Sequence, residues 1–226
     1  MYTQIIILCI LSIVLSLVGL GYLAYYESAE EETEKNFKFK YLLEKKSRVI
    51  YTVVALLILC GMSVALAMIY VNNTIIDNCK LIVLLTILFV VAFVDFKKFI
   101  IPNQVILFGL LVRFGFYVAE FFTDTDNFWS LLANDILALA IVVVFFIVGV
   151  FIVKNGLGMG DVKLMIVMCL YQGFNGVISS LFFSLCAAFV LSIGLLISKK
   201  KTKKDSIAFA PSILCGTVIS VFMTGM

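Results

Sequence analysis

Residues 164–198, LMIVMCLYQGFNGVISSLFFSLCAAFVLSIGLLIS, run for 35 positions without a charged side chain. As a single helix rising 1.5 Å per residue the stretch would be roughly 52 Å long, well beyond a hydrocarbon core of about 30 Å. A run this apolar belongs in a membrane, and one this long must break inside it. Gln172-Gly173-Phe174-Asn175-Gly176 is the turn signal within it.

Six further uncharged runs, at 1–26, 49–76, 81–94, 99–112, 136–153 and 206–226, share its character. The runs at 81–94 and 99–112 reach the length of a span only with flanking polar residues such as Lys80 and Arg113. Over 226 residues the chain is 63% hydrophobic and 14% charged, with mean hydropathy +1.17, whereas soluble domains are about 45 to 50% apolar. The expected fold is therefore all-α, a polytopic transmembrane helical bundle of about eight spans. Two regions are expected, an N-terminal two-span region at 1–79 with a charged loop at 27–48, and a membrane domain at 80–226.

The formal net charge of +3 sits in short loops between apolar runs, so it describes orientation in a lipid bilayer and no nucleic-acid partner. Every Lys and Arg except Lys80 and Arg113 falls in the loops at 27–48, 95–103, 154–163 and 199–205. Cytoplasmic loops hold an excess of these residues, so those loops are expected inside, with both termini outside. The first run has no charged n-region and exceeds the 7 to 15 residues usual for a signal-peptide core; it reads as a retained span. Lys199-Lys200-Lys201-Thr202-Lys203-Lys204 reads as an anchor of the same kind.

Six cysteines, at 9, 60, 79, 169, 186 and 215, include no CxxC pair, and the chain has no His. Zinc sites and disulfide frameworks rely on closely spaced ligands, so no metal and no cofactor is expected. The chemistry must come from other groups.

Charges at membrane depth are costly, which makes each a functional candidate. Asp95 ends the third run in Val94-Asp95-Phe96-Lys97-Lys98-Phe99-Ile100-Ile101-Pro102-Asn103, and Asp161 opens the sixth span in Gly156-Leu157-Gly158-Met159-Gly160-Asp161-Val162-Lys163-Leu164. An even number of spans separates them, so they can face one another at the same depth. Two close carboxylates share a proton, so one can act as base toward water while the other protonates a peptide carbonyl. Gly158 and Gly160 would let the backbone turn sharply and an extended substrate approach.

These segments resemble the type IV prepilin peptidases, membrane aspartic peptidases of the GxGD group that include preflagellin and Tad-type pilin peptidases. Gly158-Met159-Gly160-Asp161-Val162-Lys163-Leu164 is similar to the family's GMGDxKL signature, and Asp95 followed by Ile101-Pro102-Asn103 is similar to its first-aspartate motif. Phe209-Ala210-Pro211 resembles, less specifically, its proline-containing last helix. The resemblance covers roughly residues 80–220. It implies removal of a short basic leader from pilin-like or pseudopilin precursors at the cytoplasmic membrane face, with Asp95 and Asp161 as the catalytic pair. It does not assign base and acid between them. Bifunctional members carry a cytoplasmic insert with paired CxxC motifs that bind zinc, and they methylate the new N-terminus. The loop at 27–48 contains no Cys, so peptidase activity without methyltransferase activity is expected.

Around the pair, Lys163 is expected to influence Asp161 or hold a substrate carbonyl, unless it is simply an interfacial lysine. Pro102 and Asn103 are expected to shape the turn after Asp95, with Asn103 capping the next helix, and Pro211 to start the last helix. Arg113, deep in the fourth span, needs a partner, for which Glu120 and Asp135 are the candidates. The acidic residues of the first loop pair with lysines at i,i+4 spacing, Glu31 with Lys35 and Glu34 with Lys38, and read as a solvated helical extension. Three other readings remain: an intramembrane protease of the presenilin or signal-peptide-peptidase kind, a proton-coupled transporter, or a non-enzymatic assembly protein. The first would place its leading aspartate in a Tyr-Asp motif, where this chain has Val94-Asp95. The second would show an internal repeat and a midplane carboxylate, and neither is seen in the sequence.

Overall fold

The computed structural model describes residues 2–28, 46–70, 73–152, 158–197 and 208–224. Seven helices follow one another in them: α1 (Tyr2–Ser28), α2 (Lys46–Ile69), α3 (Ile75–Lys98), α4 (Asn103–Thr123), α5 (Thr125–Ile152), α6 (Met159–Ile197) and α7 (Ala210–Thr224). No strand occurs among the described residues. The chain is an all-α polytopic membrane protein, and α1 to α6 are each long and apolar enough to cross a bilayer, whereas α7 is a shorter apolar helix. The first-loop Glu and Lys pairs, Lys154, Gly156 and Lys199–Lys204 lie outside the described residues.

The long run behaves as its length demands. Inside α6, Gly173 takes φ 63 and ψ −167, a conformation no helix contains and one that glycine alone adopts without strain. Residues eight apart on a straight helix are separated by about 12 Å along its axis, yet Gln172 Nε2 donates to Ser180 Oγ at 2.9 Å. The chain therefore folds back at Gly173, within the expected turn. A Cβ at that position would run into Asn134 Nδ2 on α5. With the two limbs of α6 taken separately, the described residues form eight helical segments.

Two compact units divide the chain, Met1–Val90 and Val91–Met226, and α3 runs through the division. In the first unit, α1 and α2 meet through a hydroxyl pair, Ser12 Oγ and Ser63 Oγ at 2.7 Å. Whichever hydroxyl accepts in that pair can donate to the carbonyl four residues before it, Ser12 to Leu8 or Ser63 to Leu59, both at 2.8 Å. With no water in the hydrocarbon, such back-bonding keeps a buried hydroxyl satisfied without breaking the helix. Tyr51 of α2 donates its hydroxyl to the Phe89 carbonyl of α3 at 2.7 Å.

Helix α3 starts on a reciprocal cap, in which Thr74 Oγ1 accepts the Asp77 N–H and its hydroxyl donates to Asp77 Oδ2 at 2.6 Å. From Leu81 to Asp95 every residue is buried, as expected of a helix that is apolar on all faces. In the second unit, α4 and α5 are separated by Asp124 alone, whose carboxylate receives the Asn127 backbone N–H and caps α5. The second limb of α6 lies against α7, where Ser184 Oγ reaches the Ser180 and Ile213 carbonyls.

Candidate active site

The ends of four helices in the second unit bring the polar motifs together. Asp95 occupies the last turn of α3 and is buried. Its Oδ2 accepts the backbone N–H of Ala210, the first residue of α7, at 2.9 Å, and the Phe209 N–H also bonds to it. The first backbone N–H groups of a helix have no partner in the helix itself and carry its positive pole. A carboxylate borrowed from another helix satisfies them here. Pro211, next along, has no N–H to leave unpaired, which suits the first turn.

Beyond Asp95 the chain ends α3 in one step. Phe99 adopts φ 55 and returns its N–H to the Asp95 carbonyl at 2.9 Å, the geometry of a left-handed helix terminus usually given to Gly or Asn. Ile101 and Pro102 are buried, and Pro102 holds the cap position of α4 with φ −72 and ψ 122 and without a side-chain cap bond. The expectation that Asn103 caps α4 is thus corrected. Proline places the chain so that Asn103 is already helical, and its side chain is free to face another element.

Asp161 is the third residue of α6, preceded by Gly158 at the position before the helix. The Asp161 N–H bonds to the Gly158 carbonyl at 3.0 Å, and the Gly158 N–H bonds back to the Asp161 carboxylate, one half of a capping box. The carboxylate is half-buried and lies within the electrostatic field of Asp95. Gly160 is where α6 approaches the turn before α4: a Cβ on it would stand 3.0 Å from the Ile101 Cβ, closer than side chains normally pack. Lys163 donates from Nζ to Asn103 Oδ1 at 2.8 Å. Asp95, Asp161, Gly158, Gly160, Lys163, Pro102, Asn103 and Pro211 thus converge on adjoining helix ends.

Three roles are not assigned in the sequence reading. Ile101 is the seat for Gly160, the Phe209 and Ala210 backbone supplies donors to Asp95, and Phe99 makes the left-handed stop. A backbone N–H looks alike under every side chain, and only the Ala-Pro start of α7 could have pointed to it. Among the described residues no group of three or more His, Cys, Asp or Glu is placed to hold a metal ion.

A second charged cluster lies deeper in the same unit. Arg113, ten residues and so about 15 Å along α4 from Asn103, is 1% exposed. Its Nη1 bonds both Glu120 oxygens at 3.1 Å, and its Nη2 bonds Asp135 Oδ2 at 2.8 Å. Tyr117 donates to the same Asp135 oxygen at 2.6 Å, and its ring lies 3.9 Å beneath the guanidinium. Both expected partners are present, and the cluster ties α4 to α5.

Residues 82–193 match the type IV leader peptidase family. That stretch, from α3 into α6, belongs to the family. The match takes in both aspartates, the Ile101-Pro102-Asn103 turn and the segment from Gly158 to Lys163, and it stops before α7. A curated relative, the prepilin leader peptidase/N-methyltransferase of Bacillus subtilis (strain 168), is 24% identical over 139 residues, which is 62% of this chain and 53% of the relative. The chain spans about half the length of the curated relative it matches. No solved structure matches it significantly.

Proposed function

We propose that the chain is an aspartic endopeptidase of the membrane that removes the short basic leader from pilin-like or pseudopilin precursors, with Asp95 and Asp161 activating water. The observation that carries this reading is that two carboxylates from different helices, one within the field of the other, stand at helix ends gathered by the Gly160 approach and the Asp95 bond to α7. Family membership and the name of the relative support it.

The pair works with one proton between its two members. The ionised member takes a proton from water as the oxygen attacks the scissile carbonyl carbon, and the protonated member gives its proton to the carbonyl oxygen. When the tetrahedral intermediate collapses, the C–N bond breaks, the leaving amine takes the proton drawn from water, and the second carboxyl recovers its own. The pair is then as it began. Rate under chemistry-limited conditions falls as rising pH strips the shared proton, and a flat profile to about pH 10 contradicts the mechanism.

The Lys and Arg distribution supports a cytoplasmic position for this end at the cell membrane, with both termini outside. The relative's second activity, N-methylation, is not carried over, since the loop at 27–48 offers no cysteine. The test is the purified chain in lipid vesicles with a pilin-like precursor, followed by intact mass. The expected product begins at the hydrophobic segment and carries no added methyl group. A precursor that stays whole here while a related peptidase cuts it would overturn the assignment.

A further inference from the structure

The two aspartates are held by separate supports. Asp95 is fixed to α7 by the Ala210 N–H, and Asp161 is fixed to its own turn by Gly158. Neither support sets the distance between them. That distance depends on how the first turn of α6 sits against the turn between α3 and α4, and the structure has two links there. One is the packing of Gly160 on Ile101. The other is the 2.8 Å bond from Lys163 Nζ to Asn103 Oδ1.

Resting on the aspartate-pair reading above, we infer that Lys163 is a positioning residue, whose bond to Asn103 sets the spacing of Asp161 from Asp95. Two residues along a helix turn the side chain through about 200°, so Lys163 leaves α6 on the side away from Asp161 and cannot lie along the same face. Its ammonium is bonded to a neutral amide on the neighbouring helix, and the neighbouring charge that acts on Asp161 is Asp95. The acceptor is well fixed. Asn103 follows buried Pro102, whose ring restricts the backbone, and that turn is tied back to Asp95 through the Phe99 N–H. One path from one carboxylate to the other runs Asp95, Phe99, Pro102, Asn103, Lys163, Asp161, and crosses between the helices at this side-chain bond.

The bond is exposed, so its removal leaves no buried charge and the variants should fold. What it changes is geometry, and misplacement of reacting groups by about 1 Å can cost on the order of a hundredfold in rate. The experiment measures kcat and KM on a precursor that the wild-type chain cuts, for Lys163→Met, Asn103→Leu, the double variant, Lys163→Arg and Asn103→Asp. Thermal midpoints are recorded for each. The inference expects Lys163→Met and Asn103→Leu each to lower kcat by roughly tenfold or more with KM within about twofold, and the double variant to be no worse than the weaker single. Asn103→Asp keeps an acceptor and Lys163→Arg keeps a donor, so both should recover most of kcat.

Three results would overturn it: Lys163→Met raising KM while Asn103→Leu is silent, which marks a ligand for the substrate; losses that multiply in the double variant; or Lys163→Met acting as wild type, which marks a solvated surface lysine. Asp161→Asn is measured alongside. If it still cuts, the aspartate pair itself is wrong; if it is dead while the Lys163 variants are unaffected, only the positioning role fails.

Discussion

Asp95 on α3 and the backbone N–H of Ala210 on α7, 115 positions apart, are joined by a 2.9 Å hydrogen bond. One carboxylate thus caps a distant helix and stands in the field of Asp161. Its two duties can be separated by the choice of substitution.

Asp95→Asn keeps an oxygen that can accept from Ala210 and Phe209, whereas Asp95→Ala leaves those N–H groups without a partner. A hydrogen bond to a charged group contributes about 1.5 to 3 kcal/mol. Asp95→Ala is therefore expected to lower the thermal midpoint of the purified protein clearly more than Asp95→Asn does, although both lack activity. Equal midpoints would show that the bond does not hold α7.

Gly160 is expected to tolerate nothing larger than itself without a response from Ile101. With only 3.0 Å between a new Cβ and the Ile101 Cβ, the helix and the turn must part, and overpacking of this kind costs about 1 to 3 kcal/mol. Gly160→Val should cut activity strongly, and removing the opposing Cβ, Gly160→Ala with Ile101→Gly, should restore more of it than Gly160→Ala alone retains. Failure of the second change to help would mean that the glycine serves some purpose other than this approach.

Arg113 is expected to matter for stability and little for chemistry. Its removal leaves Glu120 and Asp135 buried in the unit without their cation, and breaking a buried pair in this way costs about 3 to 5 kcal/mol. Arg113→Met should lower the thermal midpoint by on the order of 10 °C. The kcat of the molecules that remain folded should stay near wild type, because the cluster is about 15 Å along α4 from the aspartate end. A variant of unchanged midpoint and lost kcat would move Arg113 into the active machinery.

Much of this arrangement can be read from residue order, and the reasons differ from place to place. The reversal at Gly173 is legible because 35 uncharged residues cannot form one span, and glycine is the residue that can take φ 63. Asp95 and Asp161 stand out because charge is costly beside apolar runs, and Arg113 announces Glu120 and Asp135 for the same reason. The partner of Lys163 is not legible. Its spacing from Asp161 says where the side chain does not point, and only the packing of α6 against the α4 turn brings Asn103 within reach. Asn103 itself reads as a cap, but Pro102 takes that position. Phe99 is hidden more deeply still, since left-handed backbone is the province of Gly and Asn, and nothing in Lys98-Phe99-Ile100 signals that tertiary structure overrides that preference.

If Asp95 and Asp161 together perform the hydrolysis, removing either carboxyl should stop it. The most direct measurement is leader removal from one precursor by wild type, Asp95→Asn and Asp161→Asn, each purified in the same lipid and shown by its thermal midpoint to be folded. Wild type should release the leader and each variant should lose at least about a thousandfold in kcat, as enzymes do when one member of a unit that acts jointly is removed. A folded Asp95→Asn or Asp161→Asn variant that cuts at the wild-type rate would contradict it.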